Sequence, residues 1–596
     1  MGSVPTVAWQ AAVDLLADPL AKCFQKAAEE EYPEDWCSNS LFWLKKPGKT
    51  GRTPGTFRDI CLMGPVAKAY SRTLLWQVQD TLVAGLLPTQ FGFIPKRSTA
   101  DALLMAREIL TRTRKGGITL LMASFDLTQA FYRLDRTLLE EVLVSRLSDQ
   151  SIVLRVMRKL DRVVYRLHQG TEVLELEAPM GVIVGDVLGP LLFVVYMDAF
   201  VRQLQEARDR LRWPPTLSFE ASNWATATGP SEDGGIMQSF RLQRTSVKAS
   251  DVIYAGDHDV FRPITGWLQA RKEIELVRSY QKAWKMDVNP AKSSVMFSWA
   301  GKGSSKMRKK ALRTMRLTDG EEIPVVRQQT HLGAIRTGAA SLKPAVDLRC
   351  KKARNTRTTF QRKLLGNRTV RLDTRLKFYR SLVSPVLLYG LELFRLGPTL
   401  LKQLESCQMG FIRAASVSWR HSGGRTNEEA RELCQVPTVE SQLRKARLSY
   451  WRAKLLSPGG DVMRTVVRGR CVSLDQRLTN QTFGVLILED AVALATALGT
   501  PFLETPGPTE VDQFLLQTVP SDFAKILSWK ASSTDPLGGK NDALSGALRE
   551  FQTAFSPSGV EAQSHGPQAL ACHDPRVPRL QAVLFYLEIR KGPFEL

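Results

Sequence analysis

The sequence lacks the marks of a disulfide-stapled, zinc-stapled or membrane-spanning protein. Its eight cysteines (Cys23, Cys37, Cys61, Cys350, Cys407, Cys434, Cys471 and Cys572) are scattered, with no Cys-x-x-Cys pair and no Cys/His cluster at zinc spacing, so free thiols and no zinc site are expected. Cys572-His573 has no zinc partners nearby and reads as structural or incidental. A bilayer span needs about 20 uninterrupted apolar residues; the best run, Val187 to Met197, holds 11 and contains Pro190. Met1 to Ala12 shows no basic flank followed by an apolar stretch, which argues against a secretory signal and for an intracellular protein. Acidic residues are in deficit, 59 against 82 Lys and Arg, and the resulting net charge of +23 asks for a polyanionic partner or an anionic membrane surface. Without a membrane segment, nucleic acid is the better match.

What is present is a chain of 596 residues with 43% hydrophobic content, enough to bury a large core in three or four domains. An amphipathic stretch (Val7 to Phe24) and the acidic run Glu29 to Glu31 precede the loop Lys45-Lys46-Pro47-Gly48-Lys49-Thr50-Gly51. After a turn at Gly92 and Pro95, a helical pattern runs through Ala102, Leu103, Ala106, Ile109 and Leu110, with Ser98 or Thr99 as its cap. Ile118 to Leu127 reads as a buried strand ending near Asp126, and Leu138 to Leu167 as helical by period. Gly181 to Phe200 is a Gly-rich turn and then an apolar helix or strand. Pro214 to Ser246 has weak periodicity and reads as a surface insertion, while Asp251 to Phe261 reads as strand, polar turn, strand. Between Lys351 and Arg380 there are 11 Lys or Arg against Asp373 alone; this is either a solvated helix face or a polyanion-facing surface. Beyond residue 456, helical patches alternate with Pro/Gly stretches at Thr500 to Pro508, Ser532 to Lys540 and Ser556 to Pro567, without motif or repeat.

Two-metal phosphoryl transfer needs acidic side chains on adjoining strand ends, holding ions about 4 Å apart, and magnesium prefers oxygen ligands. Two segments put an acid directly after a buried strand: Ser124 to Phe131, containing Asp126, and Val252 to Asp259, containing Asp257 and Asp259. Taken singly, an Asp at a strand end is more often a turn or cap residue. His258 is read as a turn residue, since imidazole suits magnesium poorly.

The order of segments over residues 40 to 450 resembles the polymerase domain of reverse transcriptases of the non-LTR, long-interspersed-element type. Lys45 to Lys49 is followed by Phe57-Arg58-Asp59-Ile60-Cys61-Leu62, similar to the family's Tyr-Arg-Pro-Ile-Ser-Leu, and Gln90 to Thr99 is close to Gln-Phe-Gly-Phe-Arg-Pro-Gly-Arg-Ser-Thr. Asp126 to Phe131 resembles the first palm motif. Gly181 to Phe193 resembles Gly-Val-Arg-Gln-Gly-Asp-Pro-Leu-Ser-Pro-Leu-Leu-Phe, with Val184 in place of the glutamine. Tyr254-Ala255-Gly256-Asp257 aligns with the signature Tyr/Phe-Ala-Asp-Asp hairpin, with Gly256 in place of its first aspartate. Asn289 to Ser293, His331-Leu332-Gly333 and Ser384 to Gly390 resemble the leaving-group lysine motif, the primer grip and the thumb-side Arg-Pro-Val-Leu-Leu-Tyr-Gly.

The resemblance implies an α+β right-hand polymerase fold. Its expected parts are an N-terminal extension (1–44), fingers (45–115), a palm with an antiparallel sheet (116–335, insertion about 205–247), a basic helical thumb (336–455) and a mainly helical C-terminal region (456–596). It implies an RNA-directed DNA polymerase that copies an element's transcript from a nicked-target primer, taking an RNA template, a DNA primer, deoxynucleoside triphosphates and two Mg2+ ions, in the nucleus. Asp126 and Asp257 would be the catalytic metal ligands. Arg58, Lys49, Phe131, Gly185 and Lys292 would contact the nucleotide, Phe131 as the ring that rejects a 2′-hydroxyl. Lys351, Lys352, Arg354, Arg357, Arg362 and Lys363 would contact nucleic acid. Loss of the bridging carboxylate at Gly256 is expected to cost roughly a thousandfold in rate. Asp259 can substitute only if it shares the return strand, and hence a face, with Asp257. The alternative is a non-catalytic nucleic-acid-binding remnant. Family members carry an endonuclease ahead of the polymerase, for which residues 1 to 40 leave no room, so a fragment or truncated copy is expected.

Overall fold

β1 (Ser38–Lys45) and β2 (Phe57–Leu62) pair antiparallel, with Phe42 opposite Ile60 and Leu44 opposite Arg58. Burial alternates along β2: Cys61 is buried and Asp59 half-buried, whereas Arg58, Ile60 and Leu62 are exposed on the other face. β3 (Leu120–Asp126) comes next in sequence but belongs to a second sheet, and β4 (Val164–Gln169) and β5 (Glu172–Glu177) return to complete a first sheet of order β2-β1-β4-β5. The computed structural model describes residues 11–528 except 31, 47–49, 52, 170–171, 212, 214–216, 231–235, 312, 368, 417–423, 458–460 and 472–482.

The region expected to be helical from Leu138 to Leu167 is instead two helices, Arg136–Arg146 and Gln150–Asp161, followed by β4. Asp149 breaks the period because its side chain accepts from the Ser151 N–H at 2.9 Å and starts the second helix. The Gly-rich turn leads into the helix Gly189–Arg210. The presumed loop insertion is a hairpin of two 13-residue strands, β6 (Ser218–Pro230) and β7 (Ile236–Lys248). Phe219, Ala221 and Val247 at its base are buried.

β8 (Asp251–Tyr254) and β9 (Asp257–Pro263) form the second hairpin, and β10 (Ser294–Ser298), β11 (Thr314–Arg316) and β12 (Glu322–Val326) complete a central sheet of order β11-β12-β10-β3-β9-β8. All its neighbours are antiparallel except β10 and β12. A small hairpin, β13 (Gln328–His331) and β14 (Ala334–Thr337), stands beside it. His258, expected in the turn, lies in β9, buried, with Nε2 3.0 Å from Asp251 Oδ1.

Alternation divides β3 between two cores. Leu121, Ala123 and Phe125 face a cluster with Leu191, Phe193 and Phe200 of the helix Gly189–Arg210, whereas Leu120 and Met122 face a cluster with the helix Thr99–Lys115. Each such large apolar side chain, fully buried, contributes about 1.5–3 kcal/mol. Ser98 starts the helix Thr99–Lys115, its N–H donating to Asp101 Oδ2 at 2.7 Å.

The second core also takes in Trp451, Val466, Phe483, Leu486 and Leu515, so the described residues beyond 456 pack onto the central sheet and the helix Thr99–Lys115. Buried polar side chains of Thr99–Lys115 fix it there. Arg112 donates to the carbonyls of Val466 (2.8 Å) and Val467 (3.0 Å), at the end of the helix Asp461–Arg468. Glu108 accepts from the Phe483 N–H (3.0 Å) at the start of the helix Phe483–Ala497. A cation thus meets unpaired carbonyls at one helix end and an anion meets unpaired N–H groups at another. The two-residue β15 (Arg470–Cys471) pairs with β6. A third cluster joins the helices Lys343–Phe360, Pro398–Ser416 and Asn427–Cys434. The described residues form an α+β fold built around the six-stranded central sheet. The stretches Ser532 to Lys540 and Ser556 to Pro567, and Cys572-His573, lie outside the described residues.

Candidate active site

β8 and β9 pair Tyr254 with Asp257, which leaves Ala255 and Gly256 as a two-residue turn with Ala255 at φ 55°. Beside the turn, β8 is held by the backbone from Thr89 to Phe91: Phe91 N–H donates to Ile253 O (2.8 Å) and Ile253 N–H to Thr89 O (3.0 Å). A Cβ on Gly92 would stand 2.2 Å from Ala255 N, so only glycine lets these backbones touch.

β9 pairs with β3 so that Asp126 lies opposite Asp257, and Ser124 opposite Asp259. The two carboxylates that the sequence kept 131 residues apart therefore meet at the end of the central sheet. Burial, then the carboxylates of Asp259 and Asp126, push the Asp257 carboxyl up to about 6, against the opposing pull of Lys292 and Arg336. Lys292 Nζ is 2.9 Å from Asp126 Oδ2. The Asn289 N–H donates to Asp126 O (2.8 Å) and the Asp126 N–H to Ser293 Oγ (3.2 Å), so the Asn289 to Ser293 motif is folded onto the first carboxylate.

Asp259 does lie in the return strand, on the face of Asp257, as substitution for the missing acid requires. It is however fully buried and held by the Arg336 guanidinium, with Nη2 to Oδ1 at 2.6 Å, and His331 Nε2 is 3.1 Å from its other oxygen. Burial would raise the Asp259 carboxyl, but Arg336 and His331 hold it below the usual carboxylate value. Burial pushes the His331 imidazole down to about 4, so it is neutral at pH 7. This cluster, which sequence reasoning missed, leaves Asp259 no free oxygen to offer; its only signal was the i, i+2 spacing of the acids.

At Gly256 an added Cβ would lie 3.5 Å from Ala130 Cβ and 4.0 Å from Phe193 Cζ, both ordinary contacts, so the position has room for a side chain. Among the described residues no group of three or more His, Cys, Asp or Glu side chains is arranged to hold a metal ion. Asp126 and Asp257 are brought opposite each other at this end of the sheet, and position 256 adds no third carboxylate.

Phe131 stacks on Phe193 (4.8 Å between centroids, 18° between planes) and meets the half-exposed Phe93 edge-on at 5.9 Å. Gly181 to Gly185 is wedged against its neighbours: a Cβ on Gly181 would stand 2.5 Å from Tyr132 O, and one on Gly185 2.3 Å from Cys61 O. The next residue, Asp186, is buried in an ion pair with Lys159 that the sequence did not signal. Arg58 is exposed on the β2 face opposite Cys61, away from the side that meets Gly185. Lys49 lies outside the described residues.

Leu332 and Gly333 are gripped by Tyr389 Oη, which donates to Leu332 O at 2.9 Å, and by Arg349, which donates to Gly333 O with its guanidinium 4.5 Å over the Tyr389 ring. The fold so brings His331-Leu332-Gly333 and Ser384 to Gly390 together. The helix Lys343–Phe360 buries Val346, Cys350 and Ala353 and leaves Lys351, Lys352 and Arg354 exposed on its other side, as Lys363 is just beyond it. Arg357 leans inward over the Phe411 ring (5.8 Å) and donates to Gln361 Oε1 (3.1 Å). The Arg362 side chain lies outside the described residues. No described helix is long and apolar enough to cross a membrane.

Residues 44–334 match the family model for reverse transcriptase (RNA-dependent DNA polymerase), a family that works with divalent metal. The 115 kDa protein in type-1 retrotransposable element R1DM of Drosophila melanogaster is 25% identical over 210 residues, which are 34% of this chain and 19% of that protein. The match thus spans about a fifth of that relative's length. Among solved structures, telomerase from Candida tropicalis in complex with a TWJ fragment of telomeric RNA is 12% identical, with 84% of this chain and 68% of that one covered at a TM-score of 0.33. The Candida albicans telomerase with the same kind of RNA fragment is 12% identical, covering 75% and 67%, at 0.32.

Proposed function

We propose, on the premise that residues 44–334 form a reverse transcriptase domain of the non-LTR retrotransposon kind, that the chain binds a primed RNA template and extends the DNA primer slowly, for want of one carboxylate. The observation that carries this reading is the register of β3 and β9, which sets Asp126 against Asp257 while position 256, in the same turn, bears only hydrogen.

Asp126 and Asp257 would hold one divalent cation rather than the two of the family's complement, and that ion would supply positive charge against the charge developing in phosphoryl transfer. Lys292, already at Asp126, is within reach of the leaving phosphates once the carboxylate is otherwise occupied. The Phe131–Phe193 stack, edged by Phe93, offers a flat wall for the sugar and excludes a 2′-hydroxyl. Gly185 allows its loop to lie on β2, where a side chain would push the fingers strand away. Arg58 and Lys49 are assigned to phosphate contacts at the edge of this sheet. Exposed Lys351, Lys352, Arg354 and Lys363, with Arg357 and Arg362, form a thumb surface for duplex phosphates. The domains follow the fingers, palm and thumb order, and the site of action is the nucleus, where a DNA target supplies the primer.

Primer extension on a primed RNA, comparing this chain with Gly256→Asp, tests the reading; equal rates would refute it. A second reading, nucleic-acid binding without polymerisation, is favoured by Val184 together with Gly256. It predicts salt-sensitive binding that needs no magnesium and no extension by either protein.

A further inference from the structure

The helix Thr99–Lys115 presents Arg107, Thr111, Arg114 and Lys115 at i, i+4, i+7 and i+8, one face of the helix. This face forms a wall of a cavity of about 1700 Å³, closed on its other sides by the helices Pro398–Ser416, Val439–Leu456 and Phe483–Ala497. The cavity shares no lining residue with the carboxylate site. Its described lining holds nine Lys or Arg against four Asp or Glu.

The four acids are already engaged: Glu405 with Arg431, Glu440 with Arg444, Glu489 with Arg395 and Asp490 with Arg447. Of the five remaining cations, Arg413 donates to Arg425 O (3.1 Å) and Asn427 Oδ1 (2.7 Å), and the other four form no ion pair with a carboxylate among the described residues. Among the described residues Arg107 donates to Ala340 O (3.1 Å) and Arg114 to Ser298 Oγ (3.2 Å) and Gly338 O (2.9 Å), and the exposed Lys115 and Lys402 make no ion pair. Burial lowers the Arg107 guanidinium; Glu108 raises it and the neighbouring Arg114 lowers it further. A walled cleft lined by uncompensated charge of one sign focuses its field on a counter-charge. The Arg107 guanidinium also sits 5.3 Å over the Phe394 ring at the edge of the cavity, which adds a flat apolar surface to the cationic one. The volume exceeds the roughly 300–1,000 Å³ of small-ligand pockets.

The geometry points to a second nucleic-acid site: this cavity takes a single-stranded RNA or DNA segment, its phosphates on Arg107, Arg114, Lys115 and Lys402 and a base against Phe394. Cationic grooves with aromatic platforms bind single strands in this way. The site goes beyond the cleft assigned to primer and template, and stands or falls separately from it.

The test uses the full chain with its cleft saturated by an RNA–DNA hairpin, and a fluorescent single-stranded oligouridylate as the second probe. Binding is followed by anisotropy from low to moderate salt for the natural chain, for Lys115→Glu/Lys402→Glu, and for Lys306→Glu/Lys309→Glu, which changes net charge equally on the exposed helix Ser304–Lys310. The cavity variant should lose about tenfold or more in affinity for the probe, and its log K against log [salt] slope should flatten by about 1.4, two phosphate contacts at about 0.7 each for a single strand. Hairpin binding and the melting temperature should stay unchanged, and the control variant should keep the natural slope. Absence of a second bound strand on the natural chain, or equal losses in both variants, would overturn the proposal. Failure to bind the hairpin would instead count against the cleft.

Discussion

Gly256→Asp puts the missing carboxylate back where the backbone already has space for it. The first atom added lies 3.5 Å from Ala130 Cβ and 4.0 Å from Phe193 Cζ, and Gly256 is not in the left-handed region, so neither packing nor backbone strain opposes it. Without metal the new acid joins Asp126, Asp257 and Asp259 and should cost folding stability, since Asp257 is already raised by its neighbours. With magnesium the sign reverses, because a third carboxylate lets two cations be held. A thousandfold gain in extension corresponds to about 4 kcal/mol of transition-state stabilisation, the scale on which a well-placed charge acts in a low-dielectric site. The assay is single-nucleotide extension of a DNA primer on RNA, titrated with magnesium, for the natural chain, Gly256→Asp and the neutral isostere Gly256→Asn. Gly256→Asp should extend roughly a thousandfold faster and reach saturation at lower magnesium; Gly256→Asn should match the natural chain. A gain shared by Asn, or none with Asp, would refute the argument from charge.

Three further outcomes follow from the same geometry. The Asp257 carboxyl sits at about 6 against an ordinary 3.8, so the native state keeps a proton the unfolded chain releases; native stability is favoured at pH 4 and falls as pH rises through 6. Asp257→Asn should therefore raise the metal-free melting temperature at pH 7.5, by up to about 3 kcal/mol of stability, and leave it unchanged near pH 4; a pH-independent difference would contradict this. Arg336→Ala strands the buried Asp259 charge and should cost about 3–5 kcal/mol in urea unfolding, most of it recovered by adding Asp259→Asn; a loss under 1 kcal/mol would show the pair to be dispensable. Replacing exposed Lys351, Lys352, Arg354 and Lys363 with Gln should weaken duplex binding uniformly across sequences and flatten its salt slope by about 0.9 per lost contact; an unchanged slope would mark the helix as a merely solvated face.

Much of this was legible in the residues. Continuous apolar character marked β3, and Ser98 or Thr99 marked the start of the helix before it, which the structure begins at Thr99 with Ser98 as its cap. The motif order placed Asp126 and Asp257 in one site, because strand–acid segments of a known order leave few ways to pair. Legibility failed where a residue's role depends on a distant partner. Leu138 to Leu167 hid a break at Asp149 whose signal is one short side chain, and weak periodicity hid the pairing of β6 with β7. Nothing local to Glu108 or Arg112 says that each meets a helix end more than 350 residues away.

By itself, then, the sequence determined the chemistry available: which acids stand at strand ends, that position 256 offers none, and that the surface is cationic. Only the tertiary structure decided which of those groups are free. Register alone sets Asp126 against Asp257, and Arg336, brought from 77 residues beyond Asp259, ties up the acid that shares the face of Asp257. The reason is physical: composition and spacing fix charge and periodicity along the chain, but the pairing of buried charges depends on distances that exist only once the chain has folded.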